Sequence, residues 1–159
     1  MPFSPRRLVA ACIMTLVPAI ALAAPQPTTA VVPSPKGAPA ALRSCSLVVA
    51  PNGNASLRYE ATDLDASRAL ERVTLVVRVY DDVGAKSWQR PVASAGMGVA
   101  PGETGRFETP LYELGYSKAM AARSATCTLS AATFQGGASW APGKRWKGRL
   151  LTPSPEPSP

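Results

Sequence analysis

Residues 73–80, VTLVVRVY, place Val73, Leu75, Val77 and Val79 on one face of an extended backbone, with Thr74, Arg78 and Tyr80 behind them. Successive side chains of a strand point to opposite faces, so a period of two describes a strand with one dry side and one wet side. The pattern recurs along the chain. SCSLVVA aligns Cys45, Leu47 and Val49, and SLRYEA aligns Leu57, Tyr59 and Ala61 against Arg58 and Glu60. GRFETPL aligns Phe107, Thr109 and Leu111, and SATCTLSAATF aligns Ala125, Cys127, Leu129 and Ala131. Alternation also resumes in AKSWQR, and WAPGKRWKGRL reads as an edge strand near the C-terminus. No long stretch fits a helical period equally well; DASRALER and SKAMAARS have room for a turn or two of helix.

Turn chemistry separates these runs: PNGN at 51–54, DDVGA at 81–85, APGETG at 100–105, QGGA at 135–138 and APGK at 141–144. Seven short strands at near-regular spacing predict an all-β domain, an antiparallel seven-stranded immunoglobulin-like β-sandwich.

The ends of the chain are of other kinds. Arg6 and Arg7 precede an uncharged run from Leu8 to Ala24, and Ala21 and Ala23 supply the small residues that signal peptidase needs. Residues 1–23 are therefore expected to be an export signal cut after Ala23. The run contains Pro18 and falls short of the ~20 residues of a membrane-spanning helix. PQPTTAVVPSPKGAPAAL, within 24–42, is rich in Pro, Ala and Thr and reads as an extended linker. TPSPEPSP, 152–159, is a disordered tail of the same kind, which leaves 43–151 for the folded domain.

Export changes the cysteine arithmetic. Cys12 departs with the signal, and Cys45 and Cys127 remain as a pair on inward faces of separate strands. An even count in an exported chain is read as a disulfide. The localisation expected is periplasmic or secreted. Removing Arg6 and Arg7 lowers the formal charge from +7 to +5, an excess that gives loose attraction to anionic surfaces rather than a nucleic-acid signature.

The chain has no histidine. The commonest general base and the commonest zinc ligand are missing, so neither a Ser-His-Asp nor a Cys-His nucleophile can be assembled. Three clusters remain as candidates. Asp81 and Asp82 follow a strong strand and precede Gly84, the arrangement of a turn; Ca²⁺ would need six to eight oxygen ligands that no spacing here supplies. Asp63 and Asp65 are expected to cap a short helical turn, with a cation or acid–base pair as the rival reading. In WAPGKRWKGRL, Lys144, Arg145, Lys147 and Arg149 are interleaved with Trp140 and Trp146. Cations on an edge strand keep it from pairing with other chains. The same residues read functionally would dock lipid head groups or surface polysaccharide.

VTLVVRVYDDVGA followed by GVAPGETGRFETPL resembles small exported bacterial domains of the FxLYD type over residues 73–111. Those domains run a strand ending in a Tyr-Asp pair, a Gly turn, a second strand, a Pro-Gly-Glu turn and a strand with an inward Phe. CTLSAATFQGGASW resembles a hairpin of uncharacterised secreted proteins, with Gln135 and Gly136 where Asp-Gly is common. The resemblance implies an immunoglobulin-like sandwich and no catalytic residues. The function expected is an exported, non-enzymatic accessory or protein-interaction module of the bacterial envelope, without metal or cofactor, whose partner is another envelope or secreted protein. The alternative is an anionic-surface binder working through 140–149.

Overall fold

A computed structural model describes residues 26–151 apart from residue 95. The expected signal at 1–23 and the tail at 152–159 lie outside the described residues. The chain forms β1 (Thr28–Val32), β2 (Ala40–Val49), β3 (Ala55–Asp63), β4 (Leu70–Tyr80), β5 (Lys86–Ala93) and β6 (Thr104–Pro110), then a 3-10 turn (Tyr112–Leu114). A short helix α1 (Tyr116–Ala121), β7 (Ser124–Phe134) and the two-residue β8 (Ser139–Trp140) follow. The fold is all-β in two sheets: β1-β7-β4-β5 with β8 also on β7, and β2-β3-β6.

Inward residues of both sheets form one apolar core. Leu47, Leu57, Leu75, Val77, Leu129 and Phe134 are among its fully buried side chains. The disulfide between Cys45 on β2 and Cys127 on β7 ties one sheet to the other across that core. The alternation at Cys45/Leu47/Val49, Leu57/Tyr59/Ala61 and Val73/Leu75/Val77/Val79 marks buried positions, as expected from a period of two.

Five expectations are corrected. The stretch 24–42 is not merely a linker: β1 pairs with β7 from Thr28↔Ser124 to Val32↔Thr128, and Ala38, Ala40 and Leu42 are buried. That pairing is parallel, so the fold is not wholly antiparallel. β2 begins at Ala40 rather than near 43, because a bulge between Leu42 and Ser44 makes Arg43 an extra residue and puts Leu42 and Cys45 on one face at an odd spacing. In β7, Thr74 faces Ala131 while Leu75 faces Leu129, so Ser130 is the extra residue and its Oγ donates to Thr74 O at 3.0 Å. The phase flips there, and Ala132, not Ala131, enters the core. Finally, WAPGKRWKGRL is not an edge strand. Only Trp140 belongs to β8; Pro142 and Gly143 then turn the chain, with Lys144 N donating to Ala141 O and Gly143 at φ 83°.

Candidate functional site

After its turn, the segment 141–150 runs back over one end of the sandwich, and two buried aspartates at the end of β3 explain how it is held. Asp63 and Asp65 are both 0% exposed. Asp63 Oδ1 accepts from Asp65 N at 2.8 Å and Oδ2 from Leu70 N at 2.9 Å, which closes the loop between β3 and β4. Asp65 Oδ1 accepts from Ser67 N, Ser67 Oγ and Arg68 N at 2.9, 3.0 and 2.8 Å. Asp65 Oδ2 accepts from the indole N–H of Trp146 at 2.8 Å. All four carboxylate oxygens are thereby engaged by the protein's own donors. Residues 66–68 form a bend rather than the helical turn expected.

Burial pushes the Asp63 carboxyl up to about 6, with the neighbouring Asp65 charge adding to the rise and the N–H bonds from Asp65 and Leu70 opposing it. Burial acts on Asp65 in the same direction. There the donors from Ser67, Trp146 and Arg68 outweigh it and hold the carboxyl below the usual range. Asp65 is the anion at the base of the loop.

Trp146 is fixed by more than its N–H. Its ring lies 4.9 Å from that of Phe134, and the Arg68 guanidinium carbon sits 5.7 Å from its centroid. The return arm is paired to the β3–β4 loop, with Ala66 N donating to Arg149 O at 2.8 Å and Leu151 N donating to Leu64 O at 2.9 Å. Gly148 passes so close to Asp65 Oδ2 and Trp146 Nε1 that a Cβ there would collide with both. A side chain at 148 would push the loop off its anchor.

What this frame presents to solvent is charge. Lys144, Arg145, Lys147 and Arg149 are all exposed, and among the described residues none of them is in an ion pair. Beside them is an open cleft of about 450 Å³, walled by Lys144, Arg145 and Trp146 on the loop, Trp140 below, and Lys36 and Gly37 opposite. Guanidinium and ammonium groups so placed offer several donors to phosphate, sulfate or carboxylate oxygens. Of the six residues expected here, five stand around the loop's surface or its anchor, while Trp140, 4% exposed, serves chiefly as core. Lys36 and Arg68 had no sequence signal as members of the site. They reach it only through the fold.

The other candidates have structural roles. Asp81 Oδ1 accepts from Val83 N at 3.1 Å and Ala85 N at 2.8 Å, and Gly84 takes φ 75°, so Asp81 turns the chain between β4 and β5. Cys45 and Cys127 are the disulfide expected, with Cα atoms 6.4 Å apart.

No protein-family model, no curated protein and no solved structure matches this chain.

Proposed function

We propose that this protein is an exported, non-enzymatic binding module of the bacterial envelope whose working surface is the basic loop at 144–149, and that it takes anionic polymers. The observation that carries this reading is the set of four cations that form no ion pair among the described residues, on a loop pinned by the Asp65–Trp146 bond. The edge-strand explanation of those charges does not apply, since the segment forms no strand beyond Trp140. A backbone tied at Trp146, Arg149 and Leu151 is held without a partner, which lowers the cost of ordering the loop on binding. A second reading, in which another envelope protein docks on the domain, rests on no comparable feature of this surface. The disulfide and the charge-flanked leader support export. The strand order supports an immunoglobulin-like architecture: β2-β3-β6 faces β5-β4-β7, and β1 and β8 share the last position beside β7.

The test replaces Lys144, Arg145, Lys147 and Arg149 by Gln in the mature chain. Vesicles with and without anionic phosphatidylglycerol, and an acidic polysaccharide such as alginate, separate lipid phosphate from sugar carboxylate. Each cation near an anionic surface is worth about 1 kcal/mol, so the variant, lacking four, is expected to bind several hundredfold to about a thousandfold more weakly, and wild-type binding to weaken with salt. Equal, salt-insensitive binding by both proteins would sink the reading and leave the protein-partner alternative.

A further inference from the structure

The outer face of the β2-β3-β6 sheet is built differently from the basic loop. Arg58 and Glu60 on β3 point away from the core and stand opposite Glu108 and Arg106 on β6. They pair as Arg58 Nε to Glu108 Oε2 at 3.0 Å and Arg106 Nε to Glu60 Oε1 at 2.6 Å. Ser56 Oγ also donates to Glu108 Oε1, at 2.6 Å. Two arginines and two glutamates cancel, so this paired set on β3 and β6 carries no net charge on a chain with a formal charge of +7; Arg43, farther along the sheet, donates from Nε to Thr62 Oγ1 and lies outside it.

One end of the face carries two tyrosines. Tyr112, in the 3-10 turn, is 87% exposed, and Tyr116, at the start of α1, is 61% exposed; no other aromatic side chain among the described residues is as open. Tyr116 is not loose. Its ring lies against Gly53, where an added Cβ would collide with the ring, and Gly53 takes φ 78° in a turn closed by Asn54 N donating to Asn52 Oδ1 at 3.1 Å. The tyrosines, Asn52, Asn54, Arg58 and Glu108 are among the residues lining a cleft of about 460 Å³. Arg58 and Glu108 also line a second cleft of about 340 Å³ that continues over Glu60 and Arg106 to Ser44 and Ser46. The two clefts meet at the Arg58–Glu108 pair and together make a track that touches all three strands.

We propose that this track is a second binding site, distinct from the basic loop, for a neutral oligosaccharide chain. A sugar ring has an apolar C–H face and a rim of hydroxyls. Exposed tyrosine rings offer flat apolar surface at low cost in conformational entropy, with a hydroxyl at the tip. Carboxylate, guanidinium, amide and serine groups already held by one another accept from and donate to hydroxyls without rearrangement. The absence of net charge is what selects the class: a polyanion is drawn to 144–149, and nothing on this face would hold a polycation. An extended track, rather than a closed pocket, fits a chain of sugars rather than a single one.

The test titrates the mature protein with chitohexaose, cellohexaose and maltohexaose, followed by calorimetry and by amide shifts. At least one hexasaccharide is expected to bind with an affinity that salt does not change, and to shift amides at 52–58 and 108–116. Tyr112→Ala is expected to weaken it about tenfold or more, as truncating an aromatic anchor does at a binding hot spot. Tyr112 is 87% exposed, so this variant keeps the fold, whereas Tyr116→Ala removes the ring that lies against Gly53. The four-Gln variant of the basic loop is expected to retain glycan binding, and Tyr112→Ala to retain binding to anionic vesicles. The proposal is overturned if none of the three sugars binds, if binding survives Tyr112→Ala, or if it is lost in the four-Gln variant.

Discussion

Asp63 and Asp65 are two residues apart, equally buried, and hold their protons differently. The difference lies in donors: two backbone N–H groups reach Asp63, whereas Asp65 receives two backbone N–H groups, a hydroxyl and an indole. The consequence is a pH dependence with a definite sign. The native state keeps the Asp63 proton up to about pH 6, while the unfolded chain releases it near 3.8. The native state therefore binds more protons between those values. The contribution of Asp63 to stability is full below pH 3.8 and is lost as pH rises through about 6. Asp63→Asn has a similar shape and no titration in this window. The unfolding free energy of the wild type minus that of the variant is expected to fall by roughly 1–3 kcal/mol from about pH 4 to about pH 7. Urea melts at intermediate pH values measure it, and a flat difference would show that Asp63 does not titrate there.

At the scale of the element, β1 does work out of proportion to its five residues. β4 covers one edge of β7 along its whole length, so the other edge is left to β1 at one end and β8 at the other. β1 also ties down the second sheet. Thr29 Oγ1 accepts from Leu47 N at 3.1 Å, and Gln26 Nε2 donates to Val49 O at 2.9 Å, just ahead of β1. An uncovered strand edge is a template for another chain. A protein that begins at Ser34 is expected to lose on the order of 2–5 kcal/mol, from the ladder bonds and side-chain bonds forgone. It is also expected to associate in a concentration-dependent way. Urea unfolding and analytical ultracentrifugation check the two effects, and a truncated chain as stable and monomeric as the mature one would show that β1 is dispensable.

For the molecule as a whole, the disulfide and the distribution of surface charge are the features that span both sheets. The bridge spans 82 positions and joins the sheets at β2 and β7. Cross-linking so long a loop removes much of the freedom of the unfolded chain, and Cys127→Ala is expected to cost about 2–5 kcal/mol, seen as a lower urea midpoint without a change in native circular dichroism. An unchanged midpoint would place the stability in the core alone. The two proposed surfaces are separated by charge: cations free of partners around 144–149, and cations matched one to one on the outer face of β3 and β6. One composition thus yields one surface of exposed cations without ion pairs among the described residues and another on which cations and anions are matched.

The alternation of VTLVVRVY, SLRYEA and SCSLVVA determined by itself that the fold is all-β and which side chains enter the core, because side-chain direction in a strand depends on sequence position alone. The disulfide and the Asp81 turn were legible for a similar reason, one from the parity of cysteines and the other from local hydrogen bonding. Bulges at Arg43 and Ser130 break that local rule, so Leu42 and Ala132 escaped it. β1 carries too little alternation to be seen; its place depends on an open edge of β7 nearly a hundred residues away. The six residues of the basic tryptophan segment were visible as a cluster, but their arrangement was not. Whether they guard a strand or stand on a loop turns on the bond between Asp65 and Trp146, 81 positions apart. The neutral track was invisible in the sequence, since Arg58, Glu108, Tyr112 and Gly53 become neighbours only when β3 pairs with β6. Local patterns set the direction of each side chain; only the pairing of distant segments decided which charges were cancelled and which were left free.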